Sequence, residues 1–360
     1  MIGLILLVLP LQTEKEQIDA LLEDLKSKRP ETRISAANEL GELKVKSAVQ
    51  PLMDLLKDKS ADVREAVAWA LGEIGEPRAI SSLENLMDDS DPGVKAAACE
   101  SLAALGCRSK IDRFKEFLKD SSGAVRAAAS WSLAKLKEQS ATSAIAALLE
   151  DEDPEVRSNA CEALATLEDI PSVAKIKKLV KDSDATVRAS AALALGALKA
   201  VDCIEELKGL TADKDKEVRE NAVEALGKIG APASSIQKLL QDPEPDVRAA
   251  AAWSLGELKA KDSIKALADI LKSKSEETFV RSSACEALGK IRSEESIPVL
   301  IDTLDDLSTV TITADDGKSA LKSLQQLSIQ ALESITGKAL PGAGSFDKAE
   351  AWKKWFSERK

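Results

Sequence analysis

A chain of 360 residues with 61 acidic against 50 basic side chains carries a formal charge of −11. That balance argues against nucleic acid as a partner, because such affinity rests on lysine and arginine neutralising phosphates. Histidine is absent altogether, so neither a Ser-His-Asp nor a Cys-His nucleophile can be built and the commonest zinc, iron and copper ligand is missing.

The chain opens on an apolar run, Met1 to Leu11, broken only by Gly3 and Pro10. Its length fits the apolar core of a secretory signal and is too short to span a bilayer as a helix. No basic residue precedes it and no A-x-A site follows. Residues 1–12 are read as a signal segment shortened at its basic end, which favours export to the periplasm or cell envelope. A packed N-terminal extension on a cytoplasmic protein is the alternative. No other segment is apolar enough to cross a membrane.

From residue 13 to 337 one unit returns, and its register is marked by a basic residue: Arg33, Arg64, Lys95, Arg126, Arg157, Arg188, Arg219, Arg248 and Arg281. Successive spacings are 31 six times, then 29 and 33. A period of this size means stacked supersecondary units, each unable to bury its apolar face alone. Alanine, leucine, lysine and glutamate dominate and aromatics are 3%, so the units should be helical. In residues 76–106, Ile80, Leu83, Leu86 and Met87 recur at helical steps. Asp91-Pro92 then starts a second helix with Val94, Ala98, Leu102 and Leu105 on one face, the aspartate capping free N–H groups and the proline costing nothing at the first helical position. Asp153-Pro154 repeats this signal. A glycine recurs inside the second helix at Gly41, Gly72, Gly196, Gly227, Gly256 and Gly289. An interior glycine costs about 1 kcal/mol against alanine, so its recurrence predicts close backbone approach between stacked helices.

Three of the five cysteines, Cys99, Cys161 and Cys285, occupy a position held elsewhere by alanine or valine and are read as small core residues. Cys107 and Cys203 fall near inter-helix turns, and no CxxC spacing exists to suggest a metal or redox pair. Acidic stretches such as Asp88-Asp89-Ser90-Asp91 lack the order of a calcium loop and fall where helix caps belong. A tenth unit is irregular: helical residues 294–306, an insert containing the β-branched run Thr309 to Thr313, able to form a short extended strap but favoured as a loop, and a last helix from about Lys318 to Ile335 with Gln325 in place of the arginine. Residues 338–360 form a linker and a final helix whose Trp352, Trp355 and Phe356 should cap the open end of the array.

The unit resembles the HEAT-repeat family, in particular its bacterial subclass named after phycobilisome lyases. The likeness rests on V-R, two variable residues, a small apolar residue and a closing A-L-G, as in Val63-Arg64 to Gly72, and on an aspartate six residues before the basic residue. It implies an all-α fold, a right-handed α-solenoid of about ten two-helix repeats with a C-terminal capping helix. It further implies that the V-R helix lines the concave surface and that a structural ladder joins neighbouring repeats through Asp58, Arg64, Asp89, Lys95, Asp120, Arg126, Asp151, Arg157, Asp182, Arg188, Asp213, Arg219, Asp242 and Arg248. Ser27 and Ser275 stand where the aspartate belongs, so the ladder is expected to stop at both ends.

One position is not explained by stacking. Six residues after the repeat valine the chain reads Trp69, Glu100, Trp131, Glu162, Leu193, Glu224, Trp253, Glu286, large apolar and acidic by turns. At about 100° per residue this position lies roughly 240° from the valine, away from the core residues. Ala127 and Ala128 beside Trp131, and Ala249 and Ala250 beside Trp253, leave the indoles room. Exposed aromatics in a groove are common anchors of protein recognition. The expectation is a monomeric, non-enzymatic scaffold that binds a polypeptide along this stripe, the glutamates contacting basic residues of the partner, with no cofactor, no metal and no catalytic residue. The competing reading of the stripe is that the tryptophans lie flat over neighbouring repeats as packing. A bilin lyase or lyase subunit follows from the subclass resemblance alone, and a purely structural adaptor working through its termini is the other alternative. A HEAT-fold iron hydroxylase needs histidine ligands this chain lacks, and a HEAT-like DNA glycosylase needs a basic groove where Glu100, Glu162, Glu224 and Glu286 stand.

Overall fold

A computed structural model describes residues 14–313, 319–342 and 344–359. Residues 1–12, read above as a signal segment, lie outside the described residues. Helix pairs follow one another through the chain, and they group into two compact units, Met1–Leu167 and Glu168–Lys360.

In the first unit the pairs are Glu14–Asp24 with Pro30–Glu42, Val49–Leu55 with Ala61–Ile74, Ile80–Leu86 with Pro92–Ala104, Ile111–Phe117 with Gly123–Lys135, and Thr142–Ala147 with Pro154–Thr166. The second unit continues with Val173–Leu179 and Ala185–Ala197, Ile204–Leu210 and Lys216–Ile229, a pair ending in Pro245–Glu257, then Ile264–Lys272 with Thr278–Ile291 and Ile297–Asp302 with Leu324–Thr336. The two irregular spacings have local causes. Where the period shortens to 29, the first helix is reduced to 3-10 turns at Ala233–Ser235 and Gln237–Gln241; where it lengthens to 33, the first helix grows to nine residues, Ile264–Lys272.

Each second helix stacks on the next within its unit. The recurrent glycines make this possible: a Cβ built on Gly196 would stand 2.7 Å from Ala225 Cα, and one on Gly256 2.7 Å from Ala287 Cα. On Gly72 and Gly227 it would meet the hydroxyls of Ser101 and Ser254, which donate instead to the carbonyls of Ala68 and Val223 at 2.8 and 3.2 Å. Second helices from the first repeat through the ninth end on a residue in the left-handed region, at Lys44, Gly75, Gly106, Lys137, Glu168, Lys199, Gly230, Lys259 and Arg292. This turn reverses the chain into the next pair. Between the stacked layers lie the repeat valines Val63, Val94, Val125 and Val156, and Val187, Val218, Val247 and Val280, all fully buried.

The conserved geometry of the ladder is seen at Arg126. Its Nε and Nη2 donate to both carboxylate oxygens of Asp151 at 2.8 and 2.6 Å, while Nη1 donates to the Asp120 carbonyl at 2.9 Å. Arg64, Arg188 and Arg219 repeat this with Asp89, Asp213 and Asp242. Each such aspartate also accepts the N–H two residues on, as Asp151 does from Asp153 at 3.0 Å. One carboxylate thus ties a helix start to the preceding repeat. The ladder does not stop at the ninth repeat, contrary to the expectation from Ser275: Arg248 turns to Glu276 at 2.6 and 2.9 Å, and Arg281 donates to Asp306 at 2.6 Å. A glutamate one position later supplies the carboxylate because its longer side chain covers the shift. At the other end Ser27 meets Arg33 through its backbone carbonyl at 2.8 Å, and Arg33 finds Asp58 at 2.8 Å.

The tenth repeat corrects two expectations. Thr309–Thr313 is not a loop but a strand, paired antiparallel with Ser319–Ser323, Thr309 opposite Ser323. The last repeat helix accordingly begins at Leu324 rather than near Lys318, opened by a capping box between Ser323 and Gln326. Gln325, in the arginine position, donates to the Leu304 carbonyl at 2.7 Å. The terminal helix, Ser345–Ser357, packs on Ile297–Asp302 and Leu324–Thr336, with Trp352 fully buried and edge-on to Trp355 at 5.2 Å. It caps the array.

Candidate functional site

The stripe six residues after the repeat valine faces outward. Trp69 and Trp131 are about a third exposed, at 36% and 37%, Glu100 and Glu162 are exposed, and Leu193, Glu224, Trp253 and Glu286 are half-buried. Their flanking residues are buried: Ala68 and Ala70, Ser130 and Ser132, Ala252 and Ser254.

In the first unit this surface is a trough of about 510 Å³ crossing five consecutive second helices, from Ile34 to Asn159. Trp69 and Glu100 line it, together with Asp62, Glu65 and Glu155. No lysine or arginine is among the residues lining it. Loss of solvent raises the Glu65 carboxyl above its ordinary pKa, reinforced by Asp91 and Asp62. Glu100 is pushed up by the same loss of solvent and by Glu65 and Glu155. These are carboxylates that want a cation. Trp69 turns one ring edge, Cζ3, against Gly41 of the preceding repeat. The indole is therefore partly packing and partly open surface.

The second unit has a smaller counterpart of about 340 Å³, lined by Trp253, Phe279, Glu220, Glu224 and Asp246. Glu220 is raised by loss of solvent and then by Asp246 and Glu224. Lys290 stands 5.4 Å from the Trp253 ring centroid and is itself paired with Glu257. Trp131 lies outside the lining of the first trough, with Lys135 at 5.7 Å over its ring. Glu286 borders a separate recess of about 210 Å³, and Glu224 is engaged by Lys228 at 3.2 Å. The stripe is therefore divided among several depressions.

Sequence reasoning missed Asp62, Glu65, Glu155, Glu220 and Asp246. They occupy offsets −1 and 2 from the repeat valine, which at about 100° per residue fall at roughly 260° and 200°, beside the stripe at about 240°. An acidic tally over that whole sector would have found them.

Among the described residues, no group of three or more Cys, Asp or Glu side chains is arranged to hold a metal ion. All five cysteines are buried, and burial pushes the Cys99 and Cys285 thiols up to about 12, far from the reactive thiolate range. Among the described residues, no helix is long and apolar enough to cross a membrane.

Fold and site together define a class: an array of stacked helical hairpins held by an Arg–carboxylate ladder, with its open surface on the row of second helices. The chain belongs to the HEAT-repeat family, whose model, HEAT repeats, matches residues 18–105, 111–185, 173–237 and 233–314. No curated protein matches the sequence. Among solved structures, the Escherichia coli protein YibA is similar over 78% of this chain and 100% of its own, at 19% identity and TM-score 0.54. Kap95p, solved bound to RanGDP, is similar over 92% of this chain and 51% of its own, at 16% identity and TM-score 0.51. An engineered protein aligns over 88% of this chain and 98% of its own, at 23% identity and TM-score 0.47. At these identities the likeness concerns the fold alone. Nothing in these likenesses singles out the phycobilisome-lyase subclass.

Proposed function

We propose that this protein is a non-enzymatic scaffold that binds a polypeptide partner along its row of second helices. The observation that carries the reading is the first-unit trough, where a part-exposed indole stands among carboxylates with no basic side chain in the lining. Stacking does not need the carboxylates, since the ladder already supplies the repeat-to-repeat charge pairing, and the indole turns one edge to the preceding repeat while leaving about a third of its surface open. Tryptophan is the residue most enriched where binding energy concentrates, and a field of one sign speeds the encounter with an oppositely charged partner. The net charge of −11 points the same way, to a basic segment. Kap95p, a HEAT-like structure in complex with a protein, makes a protein partner a natural use of the fold without naming one.

The test is the combined variant W69A/W131A/W253A. Saturable, salt-sensitive capture of a partner by the wild-type chain and its loss in a variant that keeps its helical content and cooperative unfolding is the expected result. Unchanged capture with a lowered midpoint assigns the indoles to packing and overturns the proposal.

A further inference from the structure

The three stripe tryptophans look alike in sequence, yet their surroundings differ. Lys135, one helical turn after Trp131, lies over that ring at 5.7 Å. Lys290, from the following repeat, lies over Trp253 at 5.4 Å and is tethered there by Glu257. At the positions corresponding to these lysines Trp69 has Glu73 and Ala104. Among the described residues no basic group stands over the Trp69 ring, although this is the indole that borders Glu65, Glu100 and Asp62. An aromatic face attracts a cation within about 6 Å, most strongly for tryptophan. Two of the three rings are thus already supplied by the chain itself, and one is not.

We infer that the Trp69 trough is the subsite for a cationic side chain of the partner, a lysine or arginine in an extended segment, and that Lys135 and Lys290 keep Trp131 and Trp253 from taking one. This rests on the scaffold reading above and locates its anchor. The bound cation would stack on the open part of the Trp69 indole while Glu65 and Glu100, whose ionised forms are disfavoured by the protein and the carboxylates around them, accept its hydrogen bonds. Asp62 and Glu155 extend the same charge along the trough, so a second basic residue further along the segment has its own carboxylates. At about 510 Å³ the space suits a side chain and a short stretch of backbone.

The experiment titrates the full chain with a labelled, C-terminally amidated dodecapeptide of alternating lysine and alanine, and with its glutamate counterpart, at low salt. The wild-type chain should bind the lysine peptide and not the glutamate one. W69A should weaken binding by about tenfold, the scale of a cation–aromatic contact plus its packing, and W69F should restore it to within about threefold. W131A and W253A should each leave it within about twofold, and E65Q/E100Q should weaken it and flatten its salt dependence. Equal losses in all three tryptophan variants would overturn the assignment to Trp69 while leaving a shared groove intact. A wild-type chain that does not prefer the lysine peptide also overturns the subsite; the scaffold reading then stands or falls separately, on capture by the combined variant.

Discussion

At the scale of single residues, Lys95 shows what the ladder arginines contribute. Lys95 occupies the same register as Arg64 and Arg126, but its ammonium makes one hydrogen bond, to Asp120 at 2.8 Å. Arg126 in contrast holds both oxygens of Asp151 and also the Asp120 carbonyl. The guanidinium is a planar fork matched to a carboxylate, and an ammonium is a point charge, so the two are not interchangeable at a bidentate site. Lys95→Arg should therefore stabilise the protein, by about 0.5–1.5 kcal/mol, the net worth of one or two added hydrogen bonds. Chemical denaturation at neutral pH measures this directly. A midpoint that stays put or falls would show that Phe117, whose ring already lies beneath Lys95 and Arg113, leaves no room for the fork.

At the scale of the helix, the contrast between two glycines separates propensity from packing. Gly196 sits inside Ala185–Ala197, where an added Cβ would come within 2.7 Å of Ala225 Cα on the next second helix. Gly209 lies near the end of Ile204–Leu210, with nothing within 4 Å of the same added atom. Alanine is the better helix former by about 1 kcal/mol at an interior position, so propensity alone predicts gains at both. Overpacking costs about 1–3 kcal/mol, enough to reverse the sign at Gly196. Gly209→Ala should raise the thermal midpoint and Gly196→Ala lower it. The same contest between propensity and packing decides the insert of the tenth repeat. Ser319–Ser323 has no β-branched residue and reads as the start of a helix, yet pairing with Thr309–Thr313 satisfies its backbone, and the Ser323–Gln326 box delays the helix until Leu324.

At the scale of the whole molecule, two sets of carboxylates titrate in opposite senses. In the ladder, the hydrogen bonds from Arg64 and Arg188 hold Asp89 and Asp213 below the ordinary carboxylate range. At Asp151 and Asp242, burial pushes the carboxyl up but is outweighed by Arg126 and Arg219 and by the backbone N–H groups. A depressed carboxylate stabilises the fold above its unfolded pKa, and this is lost as pH falls through the lower folded value. Glu65, Glu100 and Glu220 are raised, so they penalise the fold at neutral pH and relieve it as pH falls through their folded values. Stability should therefore rise as pH falls from neutrality towards the ordinary carboxylate range, and drop once pH falls below that range, at about pH 4. Thermal midpoints from pH 3 to 8 test the profile. E65Q/E100Q should flatten its neutral limb and leave the acid limb unchanged, and a monotonic fall from neutrality would contradict the opposed titrations.

The repeat, its register and its two-helix unit are legible from the residues alone, because stacking like modules demands like residues at each period: the buried valine, the glycine at the close approach, the acid and base of the ladder. The sequence also placed the stripe at offset 6 on the outward side, since helical geometry alone fixes that angle. What it left undetermined was which neighbours each stripe residue meets, and those come from different repeats and different offsets. Trp69, Trp131 and Trp253 are equivalent by register, and Glu65 beside Trp69 and Lys135 over Trp131 lie one turn away on the same helix; only tertiary packing adds Glu100 to the first and lays Lys290 over Trp253. Glu276, likewise, could replace the missing aspartate only because the fold brings Arg248 within reach of a longer side chain one residue displaced. Periodicity is a property of one chain direction, whereas a binding trough is built across it.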